Sequence, residues 1–360
     1  MVFRALYLMA IVFVVDGHTT LGDMFTLDGL FKYYSFHLML FAFGAGYFFR
    51  LRKSLTDDII SRAKRLLLPL YGWNLVYGLG AAVLRRFGGF EIGEPMSAYT
   101  LLLAPLVDGE HFVYNLGAWF IFPLFILQVL YVLIRRAGKY WKDNEWITFL
   151  LALIPGVIAV TLCGTGENPA APVFILRPLV LLPAYAGGVL YRNALEKRDT
   201  LPTVPYLMIV VILRALLCAR VENLAYLLSN CTYFVCGPFG VYAGAALAIA
   251  FFLRLARLAA PYMEKSRLLL LISRNTFAVM MHHYMGFFAL NCVFLVMNML
   301  GVAAADFSVK SFRTQAHYNY APGGHAEFNV LYLIAGLLFP LVVVFVMDRI
   351  KGLAKKFFSK

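Results

Sequence analysis

Imidazoles stand in places built to sit in lipid. His18 closes the apolar run "VFRALYLMAIVFVVDG", His37 lies in "YYSFHLMLFAFGAGYFF", and the tandem His282-His283 interrupts "TFAVMMHHYMGFFALNCVFLV". An imidazole titrates near neutrality, which suits it to take a proton from a hydroxyl without large tuning. A polar group inside a bilayer is costly and marks a functional site or a hydrogen-bonded packing position. Four such groups from three segments point to a shared polar cavity. Metal chemistry fits poorly. No HExxH is present, and adjacent histidines on a helix point about 100° apart. His325-Ala326-Glu327 lacks the following PCxxC of a zinc deaminase. Neither a GxSxG elbow nor a Walker loop occurs. The five cysteines have no metal spacing. Cys218 and Cys231 are expected near the outer ends of adjacent spans, where a disulfide is permitted, though two separate small apolar residues are the plainer reading.

A second group is cationic. In "RLRKSLTDDIISRAKRLLLP" (50–69), Arg62 and Arg65 share a helix face at i, i+3, just before an apolar run. Guanidinium groups at the mouth of a bundle suit a polyanionic ligand such as a phosphate. The alternative is an anchor to anionic lipid.

The elements that must position these groups follow from composition. The chain has 360 residues, 62% hydrophobic and 14% charged, with a mean hydropathy of +0.76. So few charges cannot cover a soluble surface, so the chain reads as an all-α integral membrane protein. Windows of span length predict ten helices near 2–18, 29–49, 66–84, 117–134, 146–163, 173–191, 202–218, 232–253, 275–300 and 329–348. Most of the 32 Lys and Arg residues fall in alternate connections, at 50–65, 135–145, 192–201, 254–274 and 349–360. This alternation places both termini in the cytoplasm and assigns the net charge of +13 to topology rather than to nucleic acid. The first span reads as a retained anchor. The outward segments 85–116 and 301–328 are too short for folded domains, so residues 1–360 form one bundle.

Five stretches, in order along nearly the whole chain, resemble the membrane acyltransferase-3 family of bacterial O-acyltransferases, and most closely its single-domain, sugar-acetylating branch. They are "SFHLMLFAFGAGYFFR", "RAKRLLLPLYGW", "LGAWFIFPLFILQVLY", "LLPAYAGGVLYR" and "ISRNTFAVMMHHYM", the last with His283 eight residues after Asn275. Some positions depart from the pattern. Tyr7 takes the place of the family's first-span basic residue, and Arg4 lies on nearly the same helix face about one turn away. The family's Ser-Gly-Tyr reads Ala45-Gly46-Tyr47, and Ser273-Arg274 replaces the Gly before Asn275.

The resemblance implies transfer of an acyl group, most often acetyl, from cytoplasmic acyl-CoA to a hydroxyl of an extracytoplasmic or lipid-linked glycan, in the bacterial inner membrane and without a metal. Arg62 and Arg65, with Arg4, would meet the CoA phosphates. His18 would be the general base, and His37 would orient the acceptor or share the proton. Asn275, Trp119 or His283 would donate to the oxyanion. The other class open to a ten-span bundle is a transporter or flippase of a lipid-linked sugar or small anionic substrate, with Arg177 or Arg214 on a carboxylate. The chain shows no inverted repeat, which favours the enzyme over that class. A catalytically inert scaffold is a third reading.

Overall fold

A computed structural model describes residues 1–19, 24–27, 29–109 and 112–358. Glu110 and His111 of the outward segment, and the last two residues of the basic tail, lie outside the described residues. All ten expected helices are present as helices: α1 Val2–Gly17, α2 His37–Tyr47, α3 Leu55–Gly88, α4 Ile121–Ala137, α5 Glu145–Cys163, α6 Val173–Leu190, α7 Thr203–Arg220, α8 Gly237–Met263, α9 Thr276–Met299 and α10 Asn329–Phe358. Among the described residues no strand forms, only a single bridge between Leu227 and Thr232. Among the described residues eight helices are long and apolar enough to cross a membrane, namely α3 to α10 with their short extensions. The other two, α1 and α2, are apolar but shorter, with 16 and 11 residues.

The bundle has an inner and an outer set. The α6 window is 72% buried, and α6 packs against α2, α5 and α4. Helix α1 lies against α2, α8, α9 and α10. By contrast α7 and α10 bury only 17% and 22% of their windows, the signature of faces turned to lipid. Close approach of α2 and α6 explains the small residues inside the aromatic run "LFAFGAGYFF". A Cβ on Gly46 would stand 1.9 Å from the Tyr185 carbonyl oxygen, and one on Gly188 would stand 2.0 Å from that of Phe43. Small residues let two backbones approach this closely where lipid offers no hydrophobic drive.

The expected span 29–49 is corrected. Residues 33–35 form a single 3₁₀ turn, Phe36 breaks the chain at φ −160°, and α2 begins only at His37. His37 is thus the first residue of its helix rather than two turns inside it. Contacts remote in sequence cause the break. Arg214, fully buried, donates to the Leu30 carbonyl (2.9 Å), the Gly244 carbonyl (2.9 Å) and Ser35 Oγ (2.8 Å). Buried Asp16 accepts from Tyr33 Oη at 2.7 Å. Non-helical backbone at membrane depth persists only where protein satisfies its polar groups, and these side chains do so. A related break at Asn115 leaves 113–120 as a 3₁₀ segment ahead of α4. Helix α8 starts later than expected because Cys231 and Tyr233 hold left-handed backbone, φ 56° and 61°.

Candidate active site

His18 caps the C-terminus of α1, and its Nδ1 lies 3.0 Å from Nε2 of His283 on α9, the rings nearly parallel at 13°. The proton positions follow from donor and acceptor rules. Nδ1 of His283 lies 3.0 Å from each of the Val279 and Met280 carbonyl oxygens, which can only accept, so that nitrogen carries the proton. Nε2 of the neutral, fully buried ring is then an acceptor. His18 Nδ1 must donate to it, which leaves the lone pair of His18 on Nε2. The same logic applies to His37, whose Nδ1 lies 2.5 Å from the Tyr33 carbonyl oxygen and whose lone pair is also on Nε2.

Both rings line one cavity of about 400 Å³, together with Trp119, Arg177, Tyr284 and His317. The 3₁₀ segment 113–120 presses against α9 to form its wall. Gly117 is required there, since a Cβ would stand 2.4 Å from the Met280 oxygen and 2.5 Å from His283 Cε1. Arg177 lies over the Trp119 ring at 5.3 Å and donates to the Ser229 and Asp108 carbonyls.

A second cavity, of about 920 Å³, opens among Arg50, Arg52, Arg62, Arg65, Tyr7 and Gln128. Arg65 donates to Gln128 Oε1 at 3.1 Å. Arg62 pairs with Asp58, which also accepts from Arg136 at 2.7 Å. The Arg62 Nε–H is buried and has no hydrogen-bond partner.

The two cavities lie on the same helices. Val14 of α1, Leu38 of α2, Phe120 and Met280 line the first, while Tyr7 of α1, Ala45 of α2, Leu124 and Phe277 line the second. On α1 and α2 this offset is about two turns, roughly 10 Å. An aromatic partition stands between them, with Tyr7 and Phe41 stacked at 5.8 Å and Phe41 against Phe120 at 6.2 Å.

The structure therefore brings His18, His37, His283 and Trp119 together at one end, and Arg62 and Arg65 at the other. Arg4 and Asn275 line neither cavity. Arg4 sits in the first turn of α1, where the cavity wall is Tyr7. Asn275 sits at the junction of the 267–274 helix and α9, with its amide donating to the Leu271 carbonyl at 2.8 Å. His282 turns away from the shared cavity, with Nδ1 2.8 Å from Tyr77 Oη and the ring edge-on to Trp73. Sequence reasoning did not single out His317, which its loop carries to the cavity mouth, or Gln128, which lies two turns beyond Phe120 on the same wall. Arg214 holds backbone carbonyls and a hydroxyl rather than facing either cavity. Among the described residues no three His, Cys, Asp or Glu side chains cluster to hold a metal, and all five cysteines are free.

A family model described as "Acyltransferase domain" matches residues 5–349. The chain is 32% identical over 177 residues to the nodulation protein NolL of Mesorhizobium japonicum, covering 47% of this chain and 43% of that protein. The chain thus spans less than half the length of the curated relative it matches. No solved structure matches it.

Proposed function

Because this chain belongs to the acyltransferase-3 family, we propose that it is a membrane O-acyltransferase that moves an acetyl group from acetyl-CoA to a hydroxyl of a glycan or lipid-linked sugar. The observation that carries the reading is the alignment of two cavities on the same helices. One is lined by arginines, and the other holds an imidazole lone pair. In this reading both termini and the basic connections are cytoplasmic, the membrane is the bacterial inner membrane, and the imidazole cavity opens outward.

Acetyl-CoA enters as a substrate from the arginine side. Arg62 and Arg65 meet its phosphates, and its pantetheine arm passes the Tyr7–Phe41–Phe120 partition toward His18. The acceptor hydroxyl enters from the outer side. His18 Nε2 takes the hydroxyl proton as the oxygen attacks the thioester carbonyl. The C–O bond forms, the C–S bond breaks, and the proton passes from His18 to the departing sulfur. While His18 is an imidazolium, its Nδ1–H stays bonded to His283, which holds the ring's orientation and tautomer. His283 therefore acts as a positioning residue. Both of its nitrogens are committed, so it has no N–H for an oxyanion. Trp119, on the cavity wall, is the proposed oxyanion donor. His37 Nε2 accepts from a second acceptor hydroxyl and so orients the sugar. Arg4 and Asn275, which line neither cavity, contact neither substrate in this reading.

The test is labelled acetyl-CoA binding and turnover in proteoliposomes with a hydroxylated acceptor. His18→Ala is expected to bind acetyl-CoA like the wild type while turnover falls about 100-fold or more. Arg65→Ala is expected to weaken acetyl-CoA binding about tenfold with the chemistry preserved. Full turnover by His18→Ala would remove the base, and absence of acetyl-CoA binding by the wild type would remove the donor.

A further inference from the structure

A third cavity, of about 510 Å³, lies apart from the other two on another face of α2 and α6. Phe43, Pro183 and Ala184 form its floor, Phe149 and Leu153 of α5 form one wall, and α8 forms the other. Small side chains on α8, Ala245, Ala246 and Ala250, leave the space open. Along α8 the slot runs from Tyr242 to Leu253, about three turns or roughly 16 Å, which is close to half of the ~30 Å hydrocarbon core. It therefore has the depth of one leaflet.

Its two ends differ in chemistry. The inner end is apolar apart from the Tyr242 hydroxyl, which donates to the Val180 carbonyl at 3.2 Å. The other end, at the membrane-surface rim, holds Arg198 and Asp199, on the side of the bundle where the basic connections lie. Asp199 pairs with both Arg254 and Arg257, the latter at 3.0 Å. Arg254 also stacks on Tyr206 at 3.9 Å, and Arg257 donates to the Tyr191 hydroxyl. Arg198 is exposed and makes no ion pair among the described residues. Two guanidinium groups thus share the Asp199 carboxylate, and Arg198 adds a further positive charge at the rim. The neighbouring Glu196, which accepts from Tyr47, and Lys197 offset each other in charge.

An apolar slot open to the bilayer does not hold water. A hydrocarbon chain fills it, and the net positive rim selects what that chain is attached to. We infer that this slot holds one acyl chain of an anionic glycerophospholipid, with the phosphate held by Arg198 at its rim. The site is distinct from the proposed transferase cavities and does not depend on them.

The experiment is native mass spectrometry of the full chain, purified in mild detergent, delipidated and titrated with phosphatidylglycerol or phosphatidylcholine. One phosphatidylglycerol is expected to be retained in preference to phosphatidylcholine. Arg198→Ala, at an exposed position, is expected to weaken retention about fivefold. Ala246→Trp would fill the slot and is expected to abolish retention of that first lipid. Equal retention of the two lipids, or no effect of Arg198→Ala, overturns the headgroup assignment. Undiminished retention by a monodisperse Ala246→Trp protein overturns the slot. Should that variant not fold, the lipid comparison and Arg198→Ala still decide the headgroup.

Discussion

Two adjacent histidines with opposite surroundings show how much a single residue's role depends on its second nitrogen. His283 meets two carbonyls through Nδ1 and His18 through Nε2, whereas His282 meets a tyrosine hydroxyl on the far side of α9. A hydrogen bond from His18 Nδ1 fixes where its lone pair points, and loss of the acceptor would free the ring to rotate. His283→Ala is therefore expected to lower kcat about tenfold to 100-fold while leaving the KM for acetyl-CoA unchanged. His283→Gln, whose side-chain oxygen can accept the same proton, should recover part of that loss. The kcat-against-KM split in steady-state kinetics checks this, and an equal rise in KM would point instead to general damage of the fold. His282→Ala should act on stability alone, through the orphaned Tyr77 hydroxyl, by about 1–3 kcal/mol. The sequence showed that these imidazoles were out of place in lipid. The family resemblance singled out His283, but helix geometry alone could not show that it faces His18, because the 100° step between the pair separates a site residue from a packing residue only once the neighbours of α9 are known.

Among the elements, the long helices were legible because a run of some 20 apolar residues has few other structures available in a bilayer. Eight of them are long enough to span among the described residues, while α1 and α2 form as shorter helices, and α6 and α5 lie within a residue or two of their expected bounds. The late start of α2 was not legible, since its cause lies 180 residues away. Arg214 reads in sequence as a lone charge in a span, but it serves as the donor set for Leu30, Gly244 and Ser35. Arg214→Met is expected to leave buried acceptors unpaired at about 1–3 kcal/mol each and to lower the melting temperature in a thermal-shift assay. Ser35→Ala removes a single bond and should cost about 1 kcal/mol. Similar effects from both variants would mean that the arginine is not the main clasp of the 30–36 segment. The α2–α6 crossing makes a sharper demand. The Cβ of Gly46→Ala would meet the Tyr185 backbone oxygen at 1.9 Å, so a helix must move. Loss of monodisperse protein on size exclusion is the expected outcome, and a well-behaved Gly46→Ala protein would show that the crossing is looser than the structure gives.

At the scale of the whole molecule, the arrangement separates an arginine-lined cavity from an imidazole-lined one by about two turns of the same helices. In the proposed mechanism a passage must join them, and the rings of Tyr7 on α1, Phe41 on α2 and Phe120 stand in contact at that level. Tyr7 replaces the basic residue expected there, so the cationic character of the lower cavity comes from the connection 50–65 rather than from α1. Rings of this size pass a thin pantetheine arm more readily than a bulky acyl end, so the partition should act as a length filter on the donor. Phe41→Ala widens it without touching His18 or the arginines. The ratio of butyryl to acetyl transfer, measured with the two CoA thioesters in the same proteoliposomes, is expected to rise several-fold in Phe41→Ala. Phe41→Trp should lower it. If the ratio stays the same in both while acetyl transfer persists, the acyl group does not pass between α1 and α2. The two cavities would then have to be joined by another route, or by a movement of α2 that carries His37 with it.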